Sequence, residues 1–174
     1  MIRFVTVFVL SLFAVGAWAQ TSPPQHQHAV DVTVVDGAKN PELIPDSTAY
    51  RLWLVTVSLP ANATDQQRTF QHAHLSKVQL NDGDYAALVS ILTDFKNQYL
   101  SMISQYNESS KATLLKGAQP DQKTFLQQRD NLVAFTRILI KQRLSPNGAD
   151  RVEGHVQHEK HGITIHTTGD GVQP

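Results

Sequence analysis

YAALVSILTDFKNQYLSMISQY, residues 85–106, is the stretch that decides the fold. Tyr85, Leu88, Leu92, Phe95, Tyr99, Met102 and Tyr106 recur in steps of three and four, which sets them on one side of an α-helix. A half-buried strand would show apolar residues at every second position instead. Asn81, Asp82 or Asp84 offers a capping oxygen at the start, and early acids suit the positive end of the helix dipole. The spacing predicts a long amphipathic helix with an aromatic-rich seam. Packed core is the expected use of that seam, with a ligand groove as the alternative.

Toward the C-terminus, residues 109–120 contain Gly117 and Pro120 and are expected to form a loop. From about Asp121 to Leu144 a doubled stripe follows: Phe125, Leu132 and Leu139, with Leu126, Val133 and Ile140 beside them. Such a stripe is broad enough to cover two neighbouring helices. Ser145-Pro146-Asn147-Gly148 breaks the pattern, and Ala149, Val152 and Val156 mark a short fifth helix that Gly162 stops. Ile163 and Ile165 then alternate with Thr164 and His166 in a short extended piece, and residues 167–174 are expected to be a disordered tail.

Toward the N-terminus, Thr64 to Val78 predicts a polar helix opened by a capping box of Thr64 and Gln67. Before it, Pro45-Asp46-Ser47 opens a helix in which Ala49, Tyr50, Trp53, Leu54 and Val57 share one face and Leu52 and Val55 fill the other. A helix apolar nearly all round is a buried one. The β-branched run Val55-Thr56-Val57 makes a strand its competitor. Residues 20–45 are rich in Gln, His, Pro and Asp. Val30, Val32 and Val34 alternate there with Asp31 and Thr33, but no partner strand is evident, so an extended arm is expected rather than a sheet.

Leu80-Asn81-Asp82-Gly83-Asp84 and Leu144-Ser145-Pro146-Asn147-Gly148 echo one another. Each places a leucine, able to act as a hydrophobic staple, before a capping group. The expected architecture is all-α: four to five helices in an irregular antiparallel bundle over residues 46–166.

Residues 1–19 match a cleaved secretory signal peptide. Arg3 charges the n-region, residues 4–18 carry no charge, and Ala17-Trp18-Ala19 is an A-x-A cleavage site. The apolar run would span about 22 Å, short of the roughly 30 Å hydrocarbon core. Export to the periplasm or the medium is therefore expected, with no membrane anchor after cleavage. The 174 residues include no cysteine, which excludes disulfides, thiol chemistry and lipid attachment through a lipobox. Fifteen basic residues balance 15 acidic ones, so nothing electrostatic predicts a nucleic acid or an anionic membrane as partner. Asn62-Ala63-Thr64 and Asn107-Glu108-Ser109 match the glycosylation sequon, which has meaning only in a eukaryotic secretory pathway.

The histidines are the one polar feature that suggests chemistry. His155, His158, Glu159 and His161 fall within seven residues on the predicted last helix, where spacings of three or four bring side chains to adjoining surface. Imidazoles and a carboxylate suit Zn or Cu. The H-E-x-x-H motif is nevertheless missed by one residue in His158-Glu159-Lys160-His161, and Lys160 adds a positive charge. His72 and His74 are two apart and cannot share a metal from one helix. His26 and His28 sit in the arm. No G-x-S-x-G, P-loop or dinucleotide motif is present, and Asp82 and Asp84 fit capping better than acid–base catalysis.

Asn40-Pro41-Glu42-Leu43-Ile44-Pro45-Asp46 with Tyr50-Arg51-Leu52, and the later Leu80-Asn81-Asp82-Gly83-Asp84-Tyr85, resemble segments of exported bacterial helical proteins of no assigned function. A looser similarity is to Spy/CpxP-type periplasmic helical chaperones, in which an L-T-x-x-Q motif opens helices. The starts at Leu80 and Leu144 keep the leucine and the cap but lack the glutamine, and the basic cradle of that type is missing. Together these features point to an exported, non-catalytic binding or scaffold protein meeting another envelope protein. The alternative is a metal-binding protein using the C-terminal histidines.

Overall fold

The computed structural model describes residues 32–168; the predicted leader, the first part of the arm and residues 169–174 lie outside them. Five α-helices form the body: α1 Asp46–Val57, α2 Asp65–Leu75, α3 Asp82–Leu115, α4 Gln122–Arg143 and α5 Pro146–Glu159. Two short strands, β1 Val32–Asp36 and β2 Thr164–Thr168, frame them. Among the described residues no helix is long and apolar enough to cross a membrane.

The helix starts follow local chemistry. Thr64 Oγ1 accepts the Gln67 N–H at 3.3 Å and Gln67 Oε1 accepts the Thr64 N–H at 2.9 Å, the reciprocal pair of a capping box. Asn81, Asp121 and Ser145 each accept an N–H three residues on, from Asp84, Thr124 and Gly148. Residues 55–57 are helical despite their β-branched side chains: Val57 is 1% exposed among the core residues of α1, and that burial outweighs a weak local preference.

Two expectations are corrected. The segment 109–120 is helical as far as Leu115, because Ser109 and Thr113 do not break a helix whose N–H groups stay bonded; Thr113 Oγ1 donates to the Ser109 carbonyl. The helix ends where Gly117 takes φ 72°, and the Ala118 N–H turns back to the Thr113 carbonyl. The residues expected as an arm without a sheet do form one. β1 pairs antiparallel with β2, Val34 opposite His166 and Val35 opposite Ile165, and the Gly37 N–H continues to the Ile163 carbonyl at 2.8 Å. The missing partner strand was the C-terminal alternation itself, more than a hundred residues away in sequence.

The core joins Tyr50, Trp53, Leu54 and Val57 of α1 to Leu75, to Leu88, Ile91, Leu92 and Phe95 of α3, and to Val133, Ile140, Val152 and Val156. The α3–α4 hairpin is unevenly covered. Every buried residue of α3 lies at or before Phe95, and every buried residue of α4 at or after Val133. α3 has 34 residues, about 51 Å of helix, so its outer half extends beyond the core.

Candidate functional site

Three regions gather side chains able to do chemistry or to bind. The first is an ionic network where α1, α4 and α5 meet. Lys160, buried, donates to Asp46 Oδ1 at 2.6 Å. Arg137 Nη2 donates to both oxygens of Glu153 at 3.0 and 3.1 Å, lies 3.6 Å from Asp46 Oδ2, and carries its guanidinium 4.6 Å above the Tyr50 ring. The Tyr50 hydroxyl donates to Glu153 Oε2 at 2.9 Å, and Gln157 bridges Asp46 and Glu153. Hydrogen bonds from Lys160 and then Gln157 hold the Asp46 carboxyl below its usual range. Burial pushes Glu153 up, but bonds from Gln157, Tyr50 and Arg137 carry it below normal, while burial and Glu153 together drive the Tyr50 phenol far above its ordinary value. Each group is spoken for by an opposite charge or a hydrogen bond, which is the chemistry of a structural clasp. Its members stand up to 114 residues apart, so no local motif announced them.

The second region is the predicted metal cluster, which the helix divides. His155 is half-buried, with its ring 6.3 Å from Trp53 and Nε2 3.6 Å from Glu159. His158 and His161 are exposed, their rings 5.8 Å apart. Among the described residues no group of three His, Cys, Asp or Glu side chains comes together to hold a metal. Lys160, expected to weigh against a cation, turns inward to Asp46. His155 and Glu159 instead border a cleft of about 140 Å³ between α1, α2 and α5, together with Leu52, Trp53, His74 and Ile163. Burial keeps the His155 imidazole below its usual pKa; Glu159 opposes this, and Lys77, His158 and His74 reinforce it. His74, two residues from His72, lines this cleft and lies against Phe70, the ring centroids 4.3 Å apart. His72, exposed, meets Tyr85 edge-on.

The third region is the outer half of the α3–α4 hairpin. Tyr106 and Phe125 touch across it at 4.5 Å, beside a shallow cleft walled only by α3, the connecting loop and α4. Leu114 and Leu115 are 61% and 88% exposed at its tip. Leu100 is also exposed on the outer half of α3, and Phe135 and Ile138, one turn apart, are exposed on the inner half of α4.

Comparison of this chain with protein-family models, with curated proteins and with solved structures finds no match.

Proposed function

We propose that this chain is an exported, non-catalytic binding or scaffold protein of the cell envelope, and that its outer α3–α4 hairpin is the surface that meets another envelope protein. The observation that carries this is the hairpin's burial pattern. It extends beyond Phe95 and Val133 with no fully buried side chain, while Leu114 and Leu115 face water at its tip. Contiguous exposed apolar surface is the mark of an interaction site, and Leu114 and Leu115 are neighbours at the tip. The absence of a catalytic role is supported by the clasp. Asp46, Glu153, Tyr50 and Lys160, the densest gathering of ionisable groups, are occupied in holding helices together.

Export is tested by the mass of the protein recovered from the envelope fraction: an N-terminus at Gln20 supports it, and a cytosolic chain beginning at Met1 overturns it. The contact surface is tested with a photo-crosslinking residue at Leu115 or Leu100 in cells. One defined adduct, lost on L114E, supports the assignment. Crosslinks no more specific than those from Ser90, on the inner half of α3, overturn it.

A second use is favoured by the exposed His158–His161 pair, whose rings stand one turn apart: weak surface capture of Zn or Cu. Equal Zn affinity of the wild type and H158A removes it.

A further inference from the structure

We propose that Asn147-Gly148, in the first turn of α5, is a site of spontaneous deamidation exposed only when the starts of α3 and α5 part, and that its isoaspartyl product then keeps them apart. This site does not rest on the hairpin's role. Among the asparagines of the chain, only Asn147 is followed by glycine. Glycine has no Cβ to shield its backbone nitrogen, so this side-chain amide is the one most open to attack. In the reaction the Gly148 nitrogen gives up its proton and bonds to Asn147 Cγ, the side-chain nitrogen leaves as ammonia, and a five-membered succinimide closes. Water then adds to one of the two ring carbonyls. Cleavage of the new Cγ–N bond yields aspartate. Cleavage of the original peptide bond yields isoaspartate, whose main chain runs through the side-chain carbon.

The folded start of α5 resists ring closure. Asn147 is exposed to water, but Gly148 is buried and its N–H donates to Ser145 Oγ at 3.1 Å. A nitrogen held in that bond is a poor nucleophile, and closure needs the Asn147 ψ to leave the helical range near about −42°. Asn147 Oδ1 accepts from Arg151 Nε at 3.2 Å, and Arg151 donates in turn to the Gln79 carbonyl at 2.6 Å, so the side chain is tethered as well. The cap that holds Gly148 is itself held, because the Asp84 carboxylate accepts both the N–H and the hydroxyl of Ser145. A local opening of this turn, without global unfolding, is enough to free the nitrogen. The two products then diverge. An aspartate at 147 suits the positive end of the helix and stands four residues before Arg151. An isoaspartate lengthens the main chain between Ser145 and Gly148 and carries Gly148 out of reach of the cap.

The test ages the chain in mildly alkaline buffer and follows the amide-to-acid mass change at Asn147 by peptide mapping, with isoaspartate detected by a carboxyl methyltransferase. The folded wild type is expected to react at least about tenfold more slowly than the same chain in urea. S145A and D84A should each speed the folded reaction by about fivefold, the worth of a helix cap, and leave the rate in urea unchanged. V133A weakens the core on α4, about three turns before Leu144, and should leave the folded rate as in the wild type. Hydrogen exchange reads the second half. The Ser145 amide, bonded to Asp84, should stay protected in the wild type and in N147D and exchange freely in the purified isoaspartyl form. Equal rates folded and in urea, S145A and D84A no faster than the wild type, V133A as fast as they are, or a protected Ser145 amide in the isoaspartyl form would each overturn the assignment.

Discussion

The carboxylate of Asp84, in the first turn of α3, accepts both the backbone N–H of Ser145 at 2.7 Å and its hydroxyl at 2.6 Å. One side chain thus ties together the starts of two helices, and it lies where both helix dipoles are positive. These are the two segments whose sequences echo one another from Leu80 and Leu144. The echo marks helix starts that meet in space, with Asn81 Nδ2 adding a third bond to Asp84 at 2.7 Å.

Gly148 is what lets them meet. A Cβ on it would stand 2.4 Å from Asp84 Oδ2. Alanine is better than glycine inside a helix by about 1 kcal/mol, but overpacking against a fixed partner costs about 1–3 kcal/mol. G148A should therefore lower stability by about 1–2 kcal/mol, and the sign should reverse in a D84A background, where the space is open. Urea denaturation of the four proteins of this cycle measures it. Additive effects would mean that Asp84 does not hold this position in solution.

Lys160 and Asp46 predict an asymmetry. The lysine is 7% exposed, whereas the side chain of its partner is 43% exposed. Removing a partner leaves a buried cation unpaired, a loss of about 3–5 kcal/mol at a fully buried site. Asp46 is partly open to solvent, so D46A is expected to cost about 2 kcal/mol. K160M keeps the volume without the charge and should cost less than half of that. Equal losses in thermal or urea unfolding would show that the pair itself, rather than the stranded charge, is what matters.

Much of the helical frame was legible because its signals are local. Thr64 with Gln67, Asn81, Asp121 and Ser145 all act within one turn, and the stripe through Leu88, Leu92 and Phe95 needs only a 3.6-residue repeat. What stayed hidden was relational. β1 needed β2, Tyr50 needed Glu153, and His155 faces Trp53 and the His74 cleft rather than His158 and His161, separations that no periodicity encodes. The seam also carried a limit that the spacing did not show. Leu88 and Phe95 are sealed, whereas Tyr99, Met102 and Tyr106 are only half-buried, and among the described residues the cleft beside Met102 and Tyr106 is walled by α3, the connecting loop and α4.

That gradient makes a graded prediction along α3. Phe95 is 1% exposed and stacked on Tyr99 at 5.6 Å, so F95A should cost about 3–5 kcal/mol. L115A, at 88% exposure, should stay within about 0.5 kcal/mol. Comparable losses from the two in guanidinium unfolding would mean that the hairpin tip is covered in solution.

The clasp and the Asp84 latch set the response to acid. Asp46, Asp84 and Glu153 all have folded-state pKa values below those of the free groups. A group depressed in this way contributes stability above its unfolded pKa, and the contribution is lost as pH falls through its folded value. Stability should therefore decline from about pH 4 downward, and D84N should flatten the acid limb relative to the wild type. Tyr50 works at the other end. Its phenol, raised by burial and by Glu153, is stabilising as long as it keeps its proton, and that contribution is lost only as strongly alkaline pH ionises the unfolded chain. Absorbance near 295 nm should then show one of the four tyrosines ionising only together with loss of the helical circular dichroism signal. In Y50F that late phase should be gone. Its survival would mean that Tyr50 is not the tyrosine held back by Glu153.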